Sequence, residues 1–216
     1  MKSIVKGREP RTLTEYRLQN SEYDGPGFSP VKNDIKSSLL AEQGYLCAYC
    51  MARISADNMK VEHWACQDRY GNLQLVYSNM LGCCKGGEDA DNERGYDKLT
   101  CDSRKGNLDI KFNPSNPQDH IGRVISYDGN GVVFSNDEEF NYQINNVLNL
   151  NKSRLKDNRK ELLQNIRHRL DEKPGNRTKA ELGKLLSAVN SVDALGKLRE
   201  YCGFLAFYLE EKIKKV

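Results

Sequence analysis

The chain has 216 residues, 38% of them hydrophobic and 29% charged, with a formal net charge of +3. No apolar run approaches the roughly 20 residues of a bilayer-spanning helix, and Met1-Lys2-Ser3-Ile4-Val5-Lys6-Gly7-Arg8 lacks the apolar stretch of a secretory signal, so a soluble cytoplasmic protein with no membrane contact is expected. Seven cysteines, at 47, 50, 66, 83, 84, 101 and 202, are an odd set for a disulfide framework, and metal binding is the better use for them.

Residues 1–35 mix basic side chains with the turn formers Asp24-Gly25-Pro26-Gly27 and Ser29-Pro30, and read as an arm with little regular structure that could dock on a partner. From Asp34, the helical spacing of Ile35, Leu39 and Leu40 predicts a short helix that Gly44 ends. The next unit, 36–140, holds all the cysteines but Cys202. Val61 to Trp64 is short and β-prone, Leu73 to Met80 leads into the second half of the cysteine run, and the acidic, glycine-rich stretch from Lys85 to Gly95 suits an exposed loop. Arg123 to Tyr127 and Gly131 to Ser135 flank Asp128-Gly129-Asn130, a strong hairpin signal.

The last unit, 141–216, is helical by pattern. Ile144, Val147 and Leu148, then Leu155, Leu162, Leu163, Ile166 and Leu170, share one face. Lys173-Pro174-Gly175-Asn176 breaks the stripe, Thr178 with Glu181 makes a capping box, and Leu182, Leu185, Leu186 and Val189 resume it before a final helix carrying Leu198, Tyr201, Cys202, Leu205, Tyr208 and Leu209. Between Lys152 and Lys184 eleven basic residues stand against five acidic ones, a surplus that could meet phosphates or simply lace a solvated face.

The chemistry lies in the middle. Cys47-Ala48-Tyr49-Cys50 alone is a weak signal, but two close thiolates joined by two more make a closed tetrahedral zinc site. Cys84 and Cys101 are the expected second pair, with Cys83 the rival to Cys84. Glu62-His63 offers an oxygen ligand for a hard cation such as Mg2+ or Mn2+ and an imidazole able to take a proton from water. Neighbours on a strand point to opposite faces, so both can serve one site only where the strand bends or ends.

Cys47-x-x-Cys50, Val61-Glu62-His63, Asn79-Met80-Leu81, Cys84 and Cys101-Asp102-x-x-Lys105-Gly106 resemble the HNH nuclease motif in its zinc-bound ββα-metal form, over roughly residues 45 to 107. With Val5-Lys6-Gly7-Arg8-Glu9-Pro10 and Leu148-Asn149-Leu150-Asn151, the chain is similar to the PtuB-like HNH proteins of Septu and retron-associated defence systems. The resemblance implies an α+β fold in which a small zinc-stabilised ββα-metal core carries an added β-hairpin and a C-terminal helical region. It also implies an endonuclease cutting DNA, or RNA such as tRNA, beside a PtuA-like ATPase partner and possibly with a retron ribonucleoprotein.

By the same likeness His63 would be the general base, Glu62 and Asp102 would ligate the catalytic cation, and Asn79 would brace the turn that orients the base. Arg104 and Lys105 would contact nucleic acid. Two departures stand out: Asp102 replaces the usual Asn or His, and an insertion separates Cys84 from Cys101. The competing expectation, from another class, is a zinc-stabilised module that binds nucleic acid or the ATPase without cutting. His120 and His168 are expected at the surface, and Cys66 and Cys202 as buried free thiols.

Overall fold

The computed structural model of the chain describes residues 1–20, 22–89, 95–172 and 174–216. The middle of the loop expected from Lys85 to Gly95 lies outside them, as does Lys173 of the break expected over Lys173-Pro174-Gly175-Asn176; the other three residues of that break are described and belong to no helix. The described residues form a mixed α+β structure, mostly helical, with two small antiparallel sheets.

The segment expected to be irregular carries α1 (Arg11–Gln19), of which only Leu13 and Tyr16 are buried, too few apolar positions to show a helical period. α2 (Phe28–Glu42) begins well before Asp34. Pro30 falls in its first turn, where a missing N–H costs no hydrogen bond, so the residue taken for a turn former belongs to a helix start. Phe28, Val31, Ile35, Leu39 and Leu40 face inward, each contributing about 2 kcal/mol or more by leaving water. Gly44 ends α2 at φ 58°, left-handed geometry that glycine adopts without a Cβ clash.

The first residues pack on the chain itself. Met1 and Ile4 are buried, the Ile4 N–H donates to the Pro114 carbonyl at 2.8 Å, and Lys6 pairs with Glu42 at 3.0 Å above the Tyr77 ring.

β1 (Met59–His63) and β2 (Met80–Cys84) pair in register, Met59 opposite Cys84 and His63 opposite Met80. The Gln43 side chain at the end of α2 brackets Gly82, donating to its carbonyl at 2.8 Å and accepting from its N–H at 2.7 Å, which fixes the hairpin against the helix. α3 (Cys101–Lys105) follows the insertion. Its first N–H, from Cys101, donates to the Leu148 carbonyl at 2.9 Å.

The residues around that carbonyl explain the Leu-Asn-Leu-Asn run. Leu148 and Leu150 are buried, while the Asn149 amide bonds the Asp97 and Leu99 carbonyls and the Asn151 amide bonds that of Val133. Four residues thus tie α3 to the second hairpin. That hairpin is shorter than expected: Arg123 and Val124 belong to α4 (Ile121–Val124), leaving β3 (Ser126–Tyr127) and β4 (Val133–Phe134) around a turn that Asp128 holds through the Asn130 and Val132 N–H groups.

α5 (Glu138–Tyr142) continues into one π-helical turn, and α6 (Ser153–Asp171), α7 (Lys179–Asn190) and α8 (Cys202–Ile213) complete the chain. The Thr178 and Glu181 capping box is present with both reciprocal bonds. Charge counting misled over α6. Arg159 is 2% exposed and bonds the Gly131 and Leu150 carbonyls, Arg154 bonds the Gly86 carbonyl and the Thr100 hydroxyl, and Arg177 bonds the Leu170 carbonyl. Buried Arg159 and the half-buried Arg154 and Arg177 are thus committed to carbonyls of the chain, so the basic surplus free to face a partner is smaller than the sequence implies.

Candidate metal and catalytic site

The knuckle preceding β1 is a tight turn in which the Cys47 N–H meets the Ala52 carbonyl at 2.9 Å and the Met51 N–H meets the Cys47 carbonyl at 3.0 Å. It brings Cys47 and Cys50 to Cys84 at the end of β2 and Cys101 at the start of α3, with all four sulfurs within 4.8 Å of one another. A tetrahedral zinc with bonds of about 2.3 Å has sulfur–sulfur edges of about 3.8 Å, and Cys50 Sγ lies 3.8 Å from Cys84 Sγ.

The thiol electrostatics agree. Burial pushes the Cys47 thiol upward, but hydrogen bonds from Cys101, Cys50, Cys83 and Cys84 outweigh it and hold Cys47 well below its ordinary pKa, while the same contacts push Cys101 well above. Thiolates crowded this closely repel one another, and a divalent cation would relieve that repulsion. Tyr45, Met51 and Cys101 all take positive φ, so backbone strain gathers around these sulfurs. Cys83, on the other side of β2, touches Cys47 but stands outside the set of four.

One face of the hairpin carries a second cluster. Glu62, 4% exposed, accepts the Tyr49 hydroxyl at 2.8 Å and pairs with the Lys105 ammonium at 2.9 Å, both on Oε1. Asp102 lies within hydrogen-bonding range of the same carboxyl group. Burial, then the hydrogen bond and the charge of Asp102, push Glu62 well above the usual carboxylate range, with Lys105 pulling the other way. Asp102 also meets Lys60 at 3.3 Å.

His63 ends β1 and turns away toward the connection between the strands. Its Nε2 lies 2.9 Å from the Gln74 carbonyl. A carbonyl only accepts, so Nε2 carries the proton and Nδ1 is the basic nitrogen, without a hydrogen-bond partner among the described residues. The Tyr23 ring stands edge-on to the imidazole at 4.6 Å, and the Gln74 side chain accepts from the Tyr23 N–H at 3.0 Å. Burial lowers the imidazole pKa, against the Gln74 carbonyl and the Asp102 charge. Asn79 closes this connection: its side chain accepts from the Ala65 N–H and donates to the Ala65 and Leu73 carbonyls, while its own carbonyl takes the Trp64 N–H.

Glu62 therefore meets both Asp102 and Lys105. His63 occupies the neighbouring side of the strand end, within electrostatic range of Asp102 and Lys105. The two residues expected to meet nucleic acid both have partners within the chain. Lys105 is 1% exposed and committed to Glu62, and Arg104 stacks on Tyr96, pairs with Asp97 at 2.9 Å and bonds the Asn146 carbonyl. His120 and His168 are at the surface, and Cys66 and Cys202 are buried free thiols. Sequence reasoning missed Tyr49, Tyr23, Gln74 and Lys60 as neighbours of the site. Nothing in their spacing marks them, since each arrives by tertiary packing.

No family model matches the chain. Among curated proteins it is 29% identical to the "Retron Ec83 putative HNH endonuclease" of Escherichia coli, over 58% of this chain and 53% of that protein. It is 27% identical to the "Retron Vc95 putative HNH endonuclease" of Vibrio cholerae serotype O1 biovar El Tor, over 69% of this chain and 73% of that one. It is 30% identical to the Septu protein PtuB of Bacillus thuringiensis, over 43% of this chain and 34% of PtuB. The chain thus spans about half the length of the Ec83 protein and about a third of PtuB. It is a distant homologue of these retron and Septu proteins.

Proposed function

We propose that the chain is a metal-dependent HNH endonuclease that hydrolyses nucleic-acid phosphodiester bonds, in DNA or in RNA such as tRNA, as the effector of a bacterial anti-phage defence complex with an ATPase partner. The observation that carries this reading is the meeting of Glu62 and Asp102 beside a histidine whose tautomer the Gln74 carbonyl sets. The hairpin of β1 and β2 followed by α3 would then be the ββα-metal core, with the four thiolates clamping its ends around zinc.

The donors fit a hard cation. Two carboxylates within hydrogen-bonding range of each other, one of them buried, are held together against their repulsion, and their oxygens suit Mg2+ or Mn2+. When bound, such a cation supplies positive charge to a phosphate oxygen and to the leaving oxygen. His63 takes the proton of the attacking water on Nδ1, and the Gln74 carbonyl stabilises the imidazolium that forms. Asn79 keeps the connection that carries Gln74 in place.

The test is cleavage of duplex DNA, single-stranded DNA and cellular RNA with Mg2+ or Mn2+, by the chain together with its genomic neighbours. Wild-type protein cuts at least one of these, and His63→Ala retains zinc and fold but cuts none. Unchanged cleavage by a clean His63→Ala preparation overturns the base assignment. A second reading, a zinc-stabilised binding module, is favoured by the burial of Glu62, which leaves little of its carboxyl group accessible for chemistry. Tight nucleic-acid binding with no cleavage under any of these conditions would establish it.

A further inference from the structure

One oxygen atom receives two buried donors. Tyr49 is 0% exposed and Lys105 1%, and both reach Oε1 of Glu62, at 2.8 and 2.9 Å. An ammonium inside a protein requires a counter-charge, and a buried phenol requires an acceptor. Here one carboxylate oxygen serves both, and the Lys105 ammonium also reaches the His63 carbonyl at 3.4 Å. Oε1 is therefore filled, and Oε2 is left for any further partner.

Both donors belong to the thiol nest. Tyr49 stands between Cys47 and Cys50, and Lys105 lies on the short helix that begins at Cys101. Whatever fixes the four sulfurs fixes both donors, and through them the carboxylate. Charge is arranged at the same point: the Lys105 ammonium lies 2.9 Å from Glu62 and the Lys60 ammonium 3.3 Å from Asp102, so each carboxyl group has a cation of its own, and the one at Glu62 is fully buried.

We infer that Lys105, assisted by Tyr49, is a positioning residue of the acidic site. It holds Glu62 as a one-oxygen ligand and offsets one carboxylate charge, so that a divalent cation at Glu62 and Asp102 keeps more of its own charge for the substrate phosphate. This rests on the nuclease reading above. It accounts for a fully buried lysine beside acidic side chains, where a lysine serving only to contact substrate would need to be accessible. It also sets a trade between cation affinity and turnover, because a like charge a few ångströms from the cation weakens its binding while leaving the phosphate more strongly polarised.

The experiment measures Mn2+ binding by electron paramagnetic resonance on zinc-loaded protein, alongside cleavage turnover with the partner present. Lys105→Met, which removes the charge, is expected to bind Mn2+ about tenfold more tightly and to turn over about tenfold or more slowly. Lys105→Arg, which keeps the charge, is expected to stay within about threefold of wild-type Mn2+ affinity. A folded Lys105→Met protein that binds Mn2+ no more tightly than wild type overturns the inference, since an ion pair that only stabilises the fold has no reason to oppose the cation. If Lys105→Met does not fold, Tyr49→Phe decides. It should retain zinc and KM while its kcat falls several-fold, and wild-type kcat would overturn the proposal. Two further outcomes separate the levels: if wild type binds Mn2+ but cuts no nucleic acid, the nuclease reading fails while the effect of Lys105 on the cation still stands or falls on the affinity of Lys105→Met, and if wild type binds no Mn2+, both fail.

Discussion

The thiol nest and the acidic site share α3, yet they are built on opposite principles. The nest draws its four members from three short segments and needs only sulfur at the right places, with 3.8 Å between Cys50 and Cys84 matching a tetrahedral edge. The acidic site is assembled from hydrogen bonds and one ring contact: Glu62 accepts from Tyr49 and Lys105, while His63 donates to the Gln74 carbonyl and packs against the Tyr23 ring. A metal knuckle tolerates variation in its surroundings because the cation supplies the organising energy. A buried ionic site tolerates little, because each unpaired group in it costs free energy.

Dependence between the two should therefore run one way. Cys101→Ser is expected to have the largest effect, removing zinc and unfolding the hairpin and α3 together, because metal binding supplies on the order of 10 kcal/mol of folding free energy to such a site. Atomic absorption and thermal unfolding measure it, and full zinc content in a folded variant would assign the fourth ligand elsewhere. His63→Ala comes next: cleavage falls by about a hundredfold or more with zinc and melting temperature unchanged. A loss of zinc in that variant would break the asymmetry.

A smaller effect is expected at the wall behind the imidazole. Tyr23→Ala removes the ring that packs at 4.6 Å and should lower kcat about tenfold, whereas Tyr23→Phe keeps the ring and stays near wild type. Equal loss in both variants would place the effect in the hydroxyl. The smallest change lies outside both clusters, where Thr178→Ala removes the cap of α7 and should cost about 1 kcal/mol of stability with no change in zinc content or turnover. Calorimetry of that variant sharpens the comparison by showing that a stability loss alone does not propagate to the site.

What was legible in the sequence follows the same division. The four thiols could be read because cysteine at those spacings has few other uses, and the capping box and the turn at Asp128 because their bonds are local. α1 escaped notice because only two of its side chains are buried, and the start of α2 because Pro30 is ambiguous between a turn and a first helical turn. Lys105 was expected to contact nucleic acid from its place in the motif, and the motif does not show that its ammonium is paired with Glu62. Arg154 and Arg159 misled in a similar way. A sequence records a charge but not whether a carbonyl inside the protein has already claimed it.

The central claim is that two chemically different cations occupy neighbouring sites, and anomalous X-ray scattering from Mn2+-soaked crystals of the zinc-loaded protein tests it most directly. The account predicts a zinc peak among Cys47, Cys50, Cys84 and Cys101 and a separate manganese peak against Glu62 and Asp102. Manganese bound only elsewhere, or found nowhere, would contradict it.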